Sequence, residues 1–148
     1  MTRARPLIDR LLGRSPGPAS ATGRRGERLA AKHLKRAHYR VLARNLRTPV
    51  GEADLVCLAP DRRTLVVVEV KTRVGADAPA PEDSITAHKR RKLVQVARSI
   101  ADRRGVRGAP IRIDVVAVEL DARGRADAIR HHEDAVTGPS RQPGRARA

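Results

Sequence analysis

The sequence predicts an α/β domain with a central mixed β-sheet flanked by helices. Three observations carry that reading. Small and apolar residues recur at helical spacing over residues 23–38 and again over about 84–104. Runs rich in Val, Leu and Ile, each of strand length, occupy residues 39–46, 51–58, 64–73 and 111–120. The chain of 148 residues is long enough for one domain with a real core and too short for two ordinary ones. The order helix, three strands, helix, strand, short strand places helices on a sheet rather than in a bundle.

Residues 1–22 read as a basic N-terminal segment, with a short amphipathic helix over 3–14 and a flexible Pro/Ser/Ala/Gly linker over 15–22. The domain is expected over 23–136. Its first helix carries Glu27, Ala30, Ala31 and Leu34 on one stripe and Arg28 and Lys32 on a basic one. Glu27 suits the positive end of the helix dipole, and it also puts a carboxylate on the small, apolar side. Tyr39 to Leu46 reads as a strand that Asn45 ends, and Pro49 fits the turn after it.

Residues 51–58 and 64–73 flank loop chemistry at 59–63 and predict an antiparallel hairpin. Along the second of these strands Glu69 and Lys71 share one face, with Val70 opposite. If Leu58 pairs with Leu65, Asp54 falls opposite Glu69, a register that one bulge would alter. Buried strands seldom carry Glu and Lys unless the charges are paired or bind something. Two carboxylates and an ammonium group suit a hard divalent cation acting on a phosphodiester. A surface salt bridge between Glu69 and Lys71 would leave the same trace.

Residues 74–83 read as a loop, with Ser84 as the N-cap of a second helix running to about Arg104. Ile85, Leu93, Val96, Ala97 and Ile100 form its apolar stripe, and Lys89, Arg90, Arg91 and Lys92 the densest basic cluster in the domain. Along 111–120, Ile111, Ile113, Val115 and Ala117 face one way and Asp114, Val116 and Val118 the other. Asp114 reads as a hydrogen-bonded structural acid or as a distal metal ligand. A short edge strand is expected over 128–132, with His131 and His132 on opposite faces, and a disordered basic tail over 137–148.

Formal net charge is +16. Residues 1–22 carry four basic residues and one acidic, and 137–148 three basic and none acidic, so most of the excess lies in the domain. That points to a polyanionic partner, nucleic acid before an anionic membrane surface. Tyr39 is the only aromatic residue. This argues against a base-stacking platform for single strands and favours contact with the backbone of a duplex or branched nucleic acid. One cysteine, Cys57, excludes an internal disulfide and a thiolate zinc site. No apolar run is long enough to span a bilayer, and the expected location is the cytoplasm.

An ordered set of short motifs then stands out: Gly26-Glu27 opening a helix, Arg44-Asn45, Gly51-Glu52-x-Asp54-Leu55, and Val68-Glu69-Val70-Lys71-x-Arg73. It continues through Lys89, Leu93 and Ala97, then Arg112 to Val116, and ends near 129–136. In this the chain resembles the YraN-like family of small bacterial proteins, regarded as endonucleases of the restriction-endonuclease-like superfamily and similar to Holliday-junction resolvases. The resemblance implies a restriction-endonuclease-like mixed sheet and a nuclease site using Mg²⁺ or Mn²⁺. It makes Asp54 and Glu69 the metal ligands, Lys71 the catalytic lysine and Glu27 the helical acid that completes the set. His38 stands where the family usually has Gly, and Ala53 and Val136 replace larger apolar residues. The reading taken is DNA, branched or damaged structures among it, held by the basic residues Lys89, Arg90, Lys92 and Arg73 and by Arg28 and Lys32 on the first helix. A homodimer would match a two-fold junction. The alternatives are a non-catalytic nucleic-acid-binding protein of the same fold and a basic adaptor for RNA or the ribosome.

Overall fold

The computed structural model describes residues 20–75, 80, 86–103 and 108–134. The helix expected over 3–14, the caps and stripe residues Ser84 and Ile85, most of the 74–83 loop and the tail from 137 lie outside them. The described residues form two helices and five strands: α1 Ala21–Arg36, β1 Arg40–Thr48, β2 Gly51–Leu58, β3 Leu65–Val74, α2 Ala87–Arg103, β4 Ile111–Leu120 and β5 Ala126–His132. The sheet order is β1-β2-β3-β4-β5. Only β3 and β4 run parallel, joined by the crossover that contains α2; the other neighbours are antiparallel. This is the expected α/β class with a mixed sheet, and it is consistent with a restriction-endonuclease-like fold.

Alternation along the strands makes two cores. On one face α2 packs Leu93, Val96, Ala97 and Ile100 against Val56, Leu65, Val67, Ile113 and Val115. On the other, α1 packs Ala30, Ala31 and Leu34 against Leu55, Cys57, Val66, Val68, Val116 and Val118. β4 over most of its length and β3 over its first half are buried on both faces, which is why they read as near-continuous apolar runs. Cys57 lies within the α1-side core, and burial pushes its thiol up to about 12, so it is an inert packing residue.

Several boundaries differ from expectation for local reasons. α1 begins at Ala21, inside the stretch expected as linker, because the Ser20 side chain accepts the Gly23 N–H at 3.0 Å and caps the helix. Its other end turns through His38 at φ 68°, with the Tyr39 N–H returning to the Leu34 carbonyl. Asn45 does not end β1. It adopts φ 48°, a conformation asparagine tolerates, and the strand continues to Thr48. At the start of α2 the Thr86 side chain accepts the Lys89 N–H at 3.2 Å. β5 starts two residues earlier than expected, at Ala126.

Candidate active site

The β2–β3 hairpin has Leu58 opposite Leu65, the register on which Asp54 meets Glu69. Its ladder runs only as far as the pair Leu55 and Val68. Just past that pair the Asp54 side chain takes over from the backbone, accepting the Val70 N–H at 2.8 Å. A fork thus opens between β2 and β3. Ala53 packs on the α2 side while Leu55 and Cys57 pack on the α1 side, so regular alternation breaks at Asp54 and turns its carboxyl into the fork.

Glu69 follows on β3 and is almost fully buried, 5 % exposed. Two ammonium groups face the same carboxylate oxygen: Lys71 Nζ at 3.5 Å and Lys89 Nζ at 3.4 Å from Oε1. The Asp54 and Glu69 carboxyl groups lie close enough for their charges to act on each other. Burial first, and then the charge of Glu69, push the Asp54 carboxyl up to about 7, against the pull of the Val70 N–H. Glu27 adds a smaller push in the same direction. Like acids crowded into a cleft with perturbed proton affinity mark a functional site more often than a structural one.

Glu27 reaches this end of the sheet because α1 lies unusually close to β3. A Cβ added at Gly26 would sit 1.8 Å from Thr72 Oγ1, so only glycine permits the approach. Glu27 therefore acts on Asp54 through its charge. Among the described residues no three His, Cys, Asp or Glu side chains gather into a metal site. The pair offers two carboxylates and no thiolate or imidazole. That donor set fits Mg²⁺ or Mn²⁺, which take one or two protein carboxylates and fill their remaining positions from water and substrate phosphate.

The remaining expected residues separate. Lys89 stands at Glu69, beside the acids, with its side chain 42 % exposed. Arg90 is exposed on α2, and Lys92 donates to the Val50 carbonyl at 3.3 Å across the β1–β2 turn. Arg73 pairs with Glu119. Arg28 and Lys32 lie on α1, on the opposite face of the sheet from Lys89 and Arg90, so one flat surface cannot use both sets.

Asp114 is the structural acid of the two roles weighed for it. It is fully buried on the α1 side, held by Arg112 through Nε at 2.8 Å and Nη2 at 2.9 Å, by His131 Nε2 at 2.7 Å and by the Asp134 N–H at 3.0 Å. Burial works to raise its pKa, but the bonds from His131, Arg112 and Asp134 outweigh it and hold the carboxyl below its ordinary value. Tyr39 joins the network, donating to Glu133 at 3.0 Å and accepting from Arg112.

Residues 26–118, well over half of the chain, match the pattern of the uncharacterised protein family UPF0102. The chain belongs to the UPF0102 family. A UPF0102 protein of Pelobacter propionicus is 38 % identical over 120 residues, covering 76 % of this chain and 86 % of the relative. One from Symbiobacterium thermophilum is 44 % identical over 103 residues, covering 70 % and 86 %. A third, from Syntrophotalea carbinolica, is 45 % identical over 97 residues, covering 65 % and 76 %. UPF0102 is the YraN-like family that the motifs resemble, and the matched span contains Gly26, Glu27, Asp54, Glu69, Lys71 and Lys89.

Proposed function

We propose that this UPF0102 protein is a divalent-metal-dependent endonuclease that hydrolyses phosphodiester bonds of DNA. The observation that carries the reading is the meeting of Asp54 and Glu69 in the fork between β2 and β3, with Lys71 beside them. Asp54 and Glu69 would hold Mg²⁺ or Mn²⁺, which supplies Lewis-acid charge at a phosphoryl oxygen when bound. Lys71 is a compact ammonium donor on a strand anchored at both faces. It positions a water for attack or stabilises negative charge developing on the phosphoryl group. Glu27 adds to the high proton affinity of Asp54. The +16 net charge supplies the attraction to a polyanion.

The second reading, a non-catalytic nucleic-acid-binding protein, is favoured by one observation. The charges at the fork are already satisfied internally, Asp54 by the Val70 N–H and Glu69 by two lysines. A cleavage assay separates the two. Four-way junction, flap, nicked and linear duplex DNA and structured RNA are incubated with Mg²⁺ or Mn²⁺, with wild type beside Asp54→Asn, Glu69→Gln and Lys71→Met. The nuclease reading expects metal-dependent cutting of at least one DNA, reduced 10²-fold or more in each variant while binding persists. Binding without cutting across the whole panel overturns it in favour of the second reading.

A further inference from the structure

From Arg24 to the end of α1, every exposed residue is a cation: Arg24, Arg25, Arg28, Lys32, Lys35 and Arg36. No acidic or uncharged side chain interrupts them on that face. Gly26, Ala30, Ala31 and Leu34 are buried against the sheet. The one acid of the helix, Glu27, is half-buried and acts on Asp54. The exposed face of α2 is mixed by comparison, with Gln95 and Asp102 among its basic residues.

This arrangement works against the helix that carries it. Residues four apart on a helix are neighbours, and like charges at that spacing destabilise it. α1 sets Arg28 beside Lys32 and Lys32 beside Arg36. No carboxylate among the described residues pairs with Arg28, Lys32, Lys35 or Arg36. The helix dipole favours the cations of the last turn, Lys35 and Arg36, but its reach stops short of Arg28 and Lys32.

A face of one sign calls for a polyanion. The row is about 18 Å long at about 1.5 Å per residue, and a nucleic-acid duplex brings a negative charge about every 1.7 Å along its axis. An anionic bilayer fits less well. A helix that lies on a membrane inserts its apolar side, and that side of α1 is packed on the sheet. Tyr39, the one aromatic ring, is buried too, so the face offers backbone contact and no base stacking.

We propose that the outer face of α1 binds the phosphate backbone of a nucleic-acid duplex through Arg28, Lys32, Lys35 and Arg36. α1 covers the face of the sheet opposite Lys89 and the acid pair, so this is a second holding surface, separate from the fork. The proposal extends the nucleic-acid reading above with a contact that cleavage does not require.

The test is a lysine footprint. The full chain is acetylated with and without a linear duplex DNA, with EDTA present so that cleavage does not intervene, and each lysine is read by mass spectrometry. Lys32 and Lys35 report α1; Lys89 and Lys92 report the face of the fork. Several-fold protection of Lys32 and Lys35 is expected. Protection of Lys89 and Lys92 alone would overturn the α1 surface and leave the nuclease reading standing. Protection of Lys32 and Lys35 alone would keep the α1 surface and count against a substrate at the fork. No protection at any of the four overturns both. A third arm uses vesicles rich in anionic lipid. Protection of Lys32 and Lys35 by vesicles and not by duplex would overturn the assignment in favour of a membrane surface. Arg28→Gln then tests the contact itself while leaving both reporter lysines in place. It is expected to lower the slope of log affinity against log salt by about one, and to reduce protection at Lys32 and Lys35 while leaving that at Lys89 unchanged. Arg28→Lys should keep the slope. Without DNA, Arg28→Gln should melt no lower than wild type, because it relieves like-charged neighbours. An unchanged slope, or an equal loss of protection at Lys89, would overturn the proposal.

Discussion

His38 carries a cost that its position explains. It follows the C-terminus of α1 at φ 68°, where a side chain crowds the backbone and glycine does not. The Ala37, His38 and Tyr39 N–H groups bond the carbonyls of the last helical turn, and none of these bonds uses the imidazole. The His38 side chain is exposed. His38→Gly is therefore expected to stabilise the domain by about 0.5–1 kcal/mol, less the extra entropy glycine gains in the unfolded chain. Urea denaturation at neutral pH measures it, and a loss of stability would show that the imidazole makes a contact that outweighs the strain. Residue chemistry of this kind was partly legible beforehand. That Asp54, Glu69 and Lys71 interrupt apolar strands was plain from their spacing. The left-handed turns at His38 and Asn45 were not, because neither residue requires that conformation and only the tertiary path imposes it.

Between elements, the decisive contact is α1 on β3 at Gly26. The helix approaches Thr72 so closely that the first atom of any side chain has no room. Gly26→Ala is expected to push α1 off the sheet and to cost roughly 1–3 kcal/mol as an overpacking change. Removing the obstacle should recover part of that loss, so the double variant with Thr72→Gly is expected to be more stable than the two single losses sum to. Strict additivity in thermal or urea unfolding would place the cost of Gly26→Ala elsewhere. Glu27 follows Gly26 in the same turn, so the shift also moves that carboxylate away from Asp54. Such contacts explain what the sequence left unread. β2 and β4 were legible to the residue, since their apolar stretches are bounded by turn chemistry on both sides. The start of α1 was not, because Ser20 caps it from within a stretch of linker-like composition. The fork was legible only as a register condition, since its opening depends on where the β2–β3 ladder stops. The ion pair of Arg130 with Glu119 gave no signal, because what joins them is the β4–β5 pairing and its shift near Leu120.

At the scale of the molecule the two faces of the sheet divide labour. The α2 face carries the acid pair and most of the cationic side chains near it, while the α1 face holds the Tyr39–Arg112–Asp114–His131 network that fastens β4 and β5 to the helix end. Asp114 is the hub: three elements of structure reach it, and it is wholly buried. Asp114→Asn leaves Arg112 with only the exposed Glu133, at 3.7 Å, as a counter-charge. It is expected to cost roughly 2–4 kcal/mol, short of a fully buried pair because Arg112 keeps some contact with water. The pH dependence follows from the direction of the shift. The folded-state pKa lies below the ordinary value of 3.8, so the unfolded chain takes up the proton first as pH falls. The stability that ionised Asp114 contributes is therefore complete above that ordinary value and drains away as pH drops through the lower, folded-state pKa. Wild type and Asp114→Asn should differ most at neutral pH and converge in urea unfolding below about pH 4. A gap that stays constant down the acid range would mean that the carboxylate matters for its shape and not for its charge. Because this network lies across the sheet from the fork, Asp114→Asn should lose stability while keeping metal-dependent cleavage at temperatures where it remains folded. Loss of cleavage at such temperatures would mean that the α1-side network sets the geometry of the acid pair through β3 and β4, and that the two faces act as one unit.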